Sequence, residues 1–202
     1  MTTLEAIHSR VFSRRARVLA RHLADLAPMA ARCLDIGCGD GTIDALMAQL
    51  RPDLSIQGID VLVRPSPRVP VARFDGQTIP FPDKSFDVVM FVDVLHHTMD
   101  PAVLLREAAR VARTSILIKD HVLEGSLASP ALRFMDWVGN ERHGVALPYN
   151  YWRRDQWDRC FRDLSLVVEE SRTRIGLYPF PASLAFERRL HFVGRLRVPD
   201  RR

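Results

Sequence analysis

The sequence contains little of what would mark a secreted, metal-binding or membrane-spanning protein. Its 202 residues include three cysteines. This odd number, without the spacing of metal ligands, favours a reducing compartment and argues against a zinc site. No apolar run approaches the ~20 residues that a membrane-spanning helix requires, and no secretory leader is recognisable at the N-terminus. We therefore expect a cytoplasmic protein without a membrane span or a bound metal.

Lysine is also scarce. Lys84 and Lys119 are the only lysines, so arginine supplies almost all the positive charge behind a net charge of +5 and a pI near 9.6. The arginines are mostly scattered along the chain, which suits a solvated surface better than a dedicated nucleic-acid interface. The hydrophobic fraction of 47% is enough for one well-packed domain over residues 1–202. The sequence contains no linker, repeat or low-complexity segment.

Short apolar runs alternate with amphipathic stretches, which is the pattern of βαβ units and of a sheet covered by helices on both faces. Apart from Asp87, the segment FDVVMFV at 86–92 is apolar, which is typical of a central strand in a parallel sheet. The predicted helices are 4–27, 42–50, 101–112 and 154–164, and the predicted strands are 33–36, 55–59, 71–74, 86–92, 115–119, 166–173 and 191–196.

The segment LDIGCGDGTI at 34–43 places three glycines directly after a predicted strand. A dinucleotide-binding turn has the spacing G-x-G-x-x-G and holds a pyrophosphate on its backbone N–H groups. Here the spacing is G-x-G-x-G, and the carboxylates of Asp35 and Asp40 would repel a phosphate. A positively charged ligand without phosphate suits this turn better. S-adenosylmethionine, with an ammonium and a sulfonium group, is such a ligand.

Acidic residues at the ends of two further strands suit the same ligand. Asp60 closes the second predicted strand, 21 residues after Gly39, as expected of a carboxylate that accepts ribose hydroxyls. Asp75, with Gly76, follows the third predicted strand, where it can accept the exocyclic N–H of adenine. Val61 is placed to contact the adenine ring. For each acid alone, a loop or helix-cap carboxylate is an equal alternative, but the ordered set favours a cofactor site.

Taken together, these segments resemble the class I S-adenosylmethionine-dependent methyltransferases of the small-molecule, type 11-like group. The resemblance rests on LDIGCGDG, GIDV and FDGQTIPFPDKSFDVVMFVDVLHHTMDP and covers roughly residues 31–120. It implies a Rossmann-like α/β fold, with a seven-stranded, mostly parallel sheet whose last strand is antiparallel. It also implies the transfer of a methyl group to a small-molecule acceptor, such as a metabolite, a lipid or a quinone-like compound.

Carried over by position, the resemblance implies the cofactor-binding residues Asp35, Gly37, Cys38, Gly39, Asp60, Val61, Asp75, Gly76, Asp93 and His96. One segment departs from the family pattern. After the second strand the family often has a helix, but this chain has VLVRPSPRVP, whose three prolines forbid one.

A general base, if the acceptor needs one, is expected beyond the carboxyl ends of the fourth and fifth strands, where open α/β sheets bind ligands. Asp120 and His121, which end the fifth strand, are the first candidates, and His97 and His143 are further ones. The alternative for Asp120 is a loop acid bonded to backbone N–H groups. The two histidines of LHH have structural or cofactor-contacting roles as alternatives.

Residues 122–153 are longer than a plain connection requires, and we expect them to form a substrate lid over the transfer site, with a short helix over 129–139. The candidate lining residues are Trp137, Asn140, His143, Tyr149 and Tyr151. The alternative is that these side chains only attach the insertion to the sheet.

Two other functions compete with small-molecule methyl transfer. Nucleic-acid methyltransferases of this fold commonly carry an Asn/Asp-Pro-Pro-aromatic motif after strand four, where this chain has VDVLHH. Only the diffuse positive charge favours a nucleic-acid partner. A cofactor-binding partner subunit without activity is the second alternative, and the intact glycine turn and Asp60 weigh against it.

Overall fold

The computed structural model describes residues 3–140, 148–187 and 189–199. Within these ranges the helices are α1 (Thr3–Leu26), α2 (Thr42–Leu50), α3 (Pro101–Val111), α4 (Ala128–Asn140), α5 (Arg154–Asp163) and α6 (Ser183–Phe186), and a 3-10 helix covers Leu95–His97. The strands are β1 (Arg32–Ile36), β2 (Ser55–Asp60), β3 (Val71–Arg73), β4 (Phe86–Val92), β5 (Ala112–His121), β6 (Val167–Arg172) and β7 (His191–Arg197).

The seven strands of the described ranges form one sheet in the order β3-β2-β1-β4-β5-β7-β6. Strands β1 to β5 pair in parallel, whereas β7 is antiparallel to both β5 and β6. The Rossmann-like fold with an antiparallel last strand is therefore confirmed. The chain proceeds outward from β1 to β3 and then returns to place β4 on the other side of β1. This reversal opens a crevice at the carboxyl ends of β1 and β4.

Helices cover both faces of the sheet. Successive residues of β4 point to opposite faces: Val89 and Phe91 pack with α3 and α5, whereas Val88 and Met90 pack with α1 and α2. All four side chains are fully buried. This double burial is why the strand is apolar on both faces after Asp87 and does not alternate. The prediction of a central strand at 86–92 is confirmed.

Some boundaries differ from the predictions. The strand β5 extends beyond 115–119 at both ends, because Ala112 pairs with Phe86 of β4 and because the pairing with β7 continues to His121. Asp120 and His121 consequently lie inside a paired strand. The helix α4 is one residue longer at each end than predicted. The 3-10 helix and α6 have no counterpart in the sequence prediction, since a single turn carries no hydrophobic period. None of the helices in the described ranges has both the length and the apolar character to cross a membrane.

Candidate functional site

The glycine turn after β1 is anchored to the end of β2. Gly37, Gly39 and Gly41 have positive φ angles of 73°, 61° and 72°, a region that residues with a Cβ rarely adopt. The N–H of Gly37 donates a hydrogen bond of 2.7 Å to the carbonyl oxygen of Ile59. The turn therefore has a defined position beside β2.

Asp60, the last residue of β2, accepts two backbone hydrogen bonds. The N–H of Gly39 donates to Oδ2 and the N–H of Leu62 to Oδ1, each over 2.8 Å. These bonds orient the carboxylate and join it to the glycine turn. Each carboxylate oxygen has a further lone pair, so Asp60 can still accept hydroxyl groups from a ligand.

The space beside the turn fits a ligand that approaches the backbone closely. A Cβ built on Gly39 meets no described atom within 4 Å, whereas one built on Gly37 would lie 2.6 Å from Cγ2 of Val94. Gly39 therefore borders open space. Glycine is required at 37 because Val94 packs against it, and the cofactor contact of Gly37 stays a prediction.

Two buried carboxyl groups lie behind the turn. Asp35 of β1 and Asp44 of α2 are almost inaccessible to solvent, and Oδ1 of Asp35 and both Asp44 oxygens accept no hydrogen bond of good geometry from the described residues. Burial, and then the charge of Asp44, raises the pKa of Asp35 well above its ordinary value, and burial raises the pKa of Asp44 to about 6. We infer that the pair shares a proton near neutral pH. Such a pair suits a cationic ligand.

The predicted adenine side is an exposed apolar surface. Val61, Leu62 and Val63 follow Asp60 and are about half exposed, at 50%, 46% and 39%. A Cβ on Gly76 would lie 3.1 Å from Cγ1 of Val61, so the two segments are adjacent. Asp75 is exposed, and its Oδ1 accepts hydrogen bonds from the backbone of residues 77 and 78. These two bonds hold the pKa of Asp75 below its ordinary value.

Two other residues of the turn have local structural roles. The thiol of Cys38 packs on β2, since a Cβ on Gly58 would lie only 2.2 Å from its sulfur. The carboxylate of Asp40 accepts hydrogen bonds from the N–H and the hydroxyl of Thr42, over 3.0 and 2.8 Å. Asp40 thus satisfies the N–H of the first residue of α2 from the position before the N-cap residue Gly41, a role that the sequence analysis did not assign to it.

A buried ion cluster lies at the carboxyl ends of β4 and β5. Asp93, directly after β4, is ion-paired with Arg15 of α1 and with Lys119 of β5. Burial by itself would raise the pKa of Asp93, but the two cations outweigh it and hold that pKa well below its ordinary value. Asp93 thereby connects α1 to this edge of the sheet.

His96 lies between two carboxylates of the same cluster. Its Nδ1 is 2.6 Å from Oδ1 of Asp120. Its Nε2 is 3.3 Å from Oδ1 of Asp136 in α4, an ion-pair distance without the alignment of a hydrogen bond. Burial by itself would lower the pKa of His96, but Asp120 and then Asp136 outweigh it and raise the pKa to about 10. His96 is therefore an imidazolium at neutral pH, and it links α4 to β5.

The neighbouring histidines are neutral at pH 7. Burial lowers the pKa of His191 to about 3 and, together with the charge of Lys119, lowers that of His121 well below its ordinary value. Burial and the charge of His96, whose ring centroid is 4.1 Å away, also lower the pKa of His97. Asp120 and His121 are buried, whereas His97 is only partly buried. His143 lies outside the described residues.

The charges of the cluster balance without a metal ion. Three carboxylates face three cations: Asp93, Asp120 and Asp136 against Arg15, Lys119 and His96. His96, His97 and Asp136 also bring candidate ligand atoms within 4.8 Å of one another. Because each carboxylate already has a cationic partner, we assign no metal to these atoms, and the expected absence of a metal stays a prediction.

The predicted lid residues occupy different environments. Tyr151 is buried, and its hydroxyl donates to Asp136. Tyr149 lies under the guanidinium of Arg133, 4.4 Å from its ring centroid. Trp137 is 48% exposed. The side chain of Asn140 falls outside the described part of the chain.

Sequence reasoning missed five charged or polar residues of this site: Arg15, Asp44, Lys119, Asp136 and Asn150. Asn150 donates through Nδ2 to the carbonyl oxygens of residues 98 and 99, over 3.0 and 3.1 Å, and so attaches the lid to the segment after the 3-10 helix. The sequence did contain a pattern that could have identified two of the other residues. Asp44 and Asp136 are acids on the inward faces of their helices, where an apolar residue is expected.

A Rossmann-like sheet, a glycine turn without phosphate spacing and an oriented acid at the end of β2 define a nucleoside-binding protein whose ligand carries positive charge. The chain belongs to the class I S-adenosylmethionine-dependent methyltransferases, because the family described as "Methyltransferase domain" matches residues 8–171. S-adenosylmethionine is the cofactor of this family.

Curated relatives match part of the chain. It is 36% identical over 110 residues to the 27-O-demethylrifamycin SV methyltransferase of Amycolatopsis mediterranei, a match that covers 47% of this chain and 40% of that protein. It is 28% identical over 150 residues to the 2-methyl-6-phytyl-1,4-hydroquinone methyltransferase of Synechocystis sp., covering 66% of this chain and 42% of that protein. The chain thus spans about two-fifths of the length of these relatives.

A solved structure shows the same fold over the whole chain. It is a chain from the complex between the Haloferax volcanii Trm112 methyltransferase activator and the putative methyltransferase. The superposition has a TM-score of 0.69 at 17% identity and covers 98% of this chain and 99% of that one.

Proposed function

We propose that this protein transfers a methyl group from S-adenosylmethionine to a small organic acceptor. The observation that carries the proposal is the Asp60 carboxylate, which the N–H groups of Gly39 and Leu62 orient beside open space at the glycine turn. An oriented carboxylate can accept the two neighbouring hydroxyls of a ribose. When bound, S-adenosylmethionine supplies an electrophilic methyl group on a positively charged sulfur.

The adenosine half of the cofactor would be held after β2 and β3. Asp60 accepts the ribose hydroxyls. The exposed Val61 gives the adenine ring an apolar face, and Gly76 leaves room for the ring because it has no side chain beside Val61. Asp75 accepts the exocyclic N–H of adenine.

The methionine half would lie along the glycine turn. Gly37 and Gly39 present their backbone to it, and Cys38 contributes its backbone while its thiol packs inward. The carboxyl pair of Asp35 and Asp44 attracts the ammonium group, because a buried negative charge without a protein cation is stabilised by a cationic ligand. Asp93 and His96, also assigned to the cofactor by sequence, would act by fixing the chain after β4.

His97 is our proposed general base. It lies at the carboxyl end of β4, is partly exposed and is neutral at pH 7, so it can reach and accept a proton from an acceptor. Asp120 and His121 lie deeper and are engaged with neighbouring groups. We propose that they position the 3-10 helix on which His97 is carried.

We propose a phenol or hydroquinone-like acceptor with an apolar substituent. One relative is named for an oxygen-linked methyl group and the other for a phytyl-substituted hydroquinone. A phenolic hydroxyl needs a base for its proton and no other activation, which matches a neutral histidine. Tyr149 of the lid is partly exposed and offers aromatic surface to such a ring.

The proposal is tested by calorimetric titration with S-adenosylmethionine, followed by transfer of a labelled methyl group into a cell extract and mass identification of the product. Binding with micromolar or tighter affinity and a labelled small molecule are expected. Labelled RNA in place of a small molecule would favour the nucleic-acid alternative. Cofactor binding without any transfer would favour a partner subunit, and an absence of binding would overturn the proposal.

A further inference from the structure

The helix α4 is apolar on two sides. Its inner side carries Leu132, which is fully buried, and Asp136, which pairs with His96. The outer side also carries large apolar side chains where a lid helix should be polar. Trp137 and Val138 follow Phe134 by three and four residues, so the three side chains lie on one side of the helix.

The segment around α6 extends this stripe. The ring of Phe134 stacks on that of Phe186, with centroids 6.0 Å apart and an angle of 18° between the ring planes. Phe180 and Leu184 are exposed beside it. We call this area the α4–α6 surface; its members are 38% to 79% exposed and comprise Leu127, Phe134, Trp137, Val138, Phe180 and Leu184.

The shape of the α4–α6 surface indicates the kind of partner that it fits. Contiguous apolar patches are rare on soluble monomers and mark interaction sites. Here the side chains project outward from a helix and a loop, and Phe180, at 79% exposure, projects furthest. Outward-projecting side chains suit insertion into a deformable apolar medium better than the binding of a small ligand in a groove.

Exposed arginines outnumber exposed acids in the described segments around the α4–α6 surface, where Glu124 is exposed and Glu187 is only partly exposed. Arg133 is the one exposed charged residue of α4 among the side chains that the structure describes, since Asp136 is buried. Arg174 and Arg189 are exposed in the segments before and after α6. Apolar side chains flanked by arginines are typical of helices that lie in the headgroup region of an anionic bilayer.

We propose that the α4–α6 surface docks this protein onto an anionic lipid bilayer. The surface is the back of the same helix that presents Asp136 to the ion cluster, so docking would bring the transfer site next to the bilayer. The benefit of docking rests on the proposed function: an acceptor with an apolar substituent partitions into lipid, so a docked enzyme would meet it there. The docking itself requires neither cofactor nor acceptor.

The test is co-sedimentation of the full chain with vesicles of phosphatidylcholine alone or mixed equally with phosphatidylglycerol. We expect binding to the mixed vesicles, at least tenfold weaker binding to phosphatidylcholine alone, and a blue shift of tryptophan emission. The shift should vanish in Trp137→Phe, since the other tryptophans, Trp152 and Trp157, are partly or fully buried.

Matched variants distinguish vesicle binding through the α4–α6 surface from binding through the overall positive charge of the protein. Phe134→Glu and Leu184→Glu should each weaken vesicle binding at least tenfold. Leu50→Glu, at a similarly exposed leucine at the end of α2, should bind as the wild type does. Calorimetry with S-adenosylmethionine without vesicles provides the readout for the proposed function, so a failure of docking and a failure of cofactor binding can be distinguished.

Three outcomes would overturn docking. The first is an absence of binding to either vesicle. The second is binding that high salt abolishes but that Phe134→Glu and Leu184→Glu leave unchanged, which would reflect surface charge alone. The third is a wild-type dimer in light scattering that these two variants convert to monomers, because a second copy of the chain would then cover the surface.

Discussion

Nδ1 of His96 lies 2.6 Å from Oδ1 of Asp120, and both side chains are buried. This contact joins the 3-10 helix after β4 to the end of β5. Because Asp136 of α4 faces the other ring nitrogen, the same imidazolium also links the lid helix to the sheet. One buried charge therefore supports the two elements that border the proposed transfer site.

Replacing His96 should destabilise the fold. His96→Gln leaves two buried carboxylates without their cation, which costs about 3–5 kcal/mol for a broken buried pair. Urea unfolding measures the loss. The control is His22→Gln, which removes a half-buried histidine that is bonded to the carbonyl oxygen of Ile175. This variant should lose much less stability.

The loss caused by His96→Gln should depend on pH. The pKa of His96 is raised from 6.5 to about 10 in the folded protein. Its stabilisation is therefore fully present below pH 6.5 and is lost as the pH rises through about 10. Unfolding curves at pH 6, 8 and 10 should show the wild type and the variant converging. A constant difference would contradict the assigned ion pair.

Replacing Asp44 should stabilise the protein. Its pKa is raised from 3.8 to about 6, mainly by burial, so ionising it opposes folding as the pH rises between these values. Asp44→Asn should add up to about 3 kcal/mol of stability above pH 6 and nothing below pH 4. Asp155→Asn, an exposed acid in the first turn of α5, is the control and should change little. A destabilised Asp44→Asn at pH 7 would count against the shared proton.

Removal of the Asp60 side chain should weaken the binding of the cofactor. Asp60→Ala deprives the ribose of a charged acceptor worth about 1.5–3 kcal/mol, so affinity for S-adenosylmethionine should fall at least about tenfold by calorimetry. Asp53→Ala, which removes an exposed acid paired with Arg51, should leave affinity unchanged. Equal affinity of the Asp60 variant in a folded state would show that the ribose binds elsewhere.

The two glycines of the turn should respond differently. Gly39→Ala places a Cβ in open space and costs about 1–2 kcal/mol of backbone strain. Affinity for S-adenosylmethionine should also fall, because the new Cβ occupies the space proposed for the ligand. Gly37→Ala should lower the melting temperature more, since its Cβ meets Val94. Gly125→Ala, also at positive φ beside open space, controls for strain alone. Unchanged affinity of Gly39→Ala would place the ligand elsewhere.

Loss of His97 should affect turnover only. Once an acceptor is known, His97→Gln should lower the rate by roughly 10²–10⁴-fold while sparing cofactor affinity and melting temperature. The base must be neutral to act, and its pKa is lowered from 6.5, so the wild-type rate should fall only on the acid side of that value. His22→Gln, at a histidine of α1 that is bonded to the carbonyl oxygen of residue 175, is the control and should keep the wild-type rate. Full turnover in His97→Gln would direct the search to His143 or to the lid.

The local parts of the site could be predicted from the sequence. The glycine turn, Asp60 and the apolar β4 are carried by residues that are neighbours along the chain. Hydrophobic period, glycine spacing and strand-end position therefore identify them. The same reasoning assigned Gly37 to the ligand, although a contact with Val94 explains that glycine.

By itself the sequence determined the order of the strands and of the longer helices, the central position of β4 and the cofactor class, because short-range pattern controls these properties. Only the tertiary structure decided which charges meet. Arg15 and Asp93 are 78 residues apart, and Asp93 and Lys119 are 26 apart. The charge state of His96 and the neutrality of His97 follow from burial and from such distant partners. Burial and these distant charges act on the histidines only once the sheet has brought the ends of β4 and β5 together with α1 and α4.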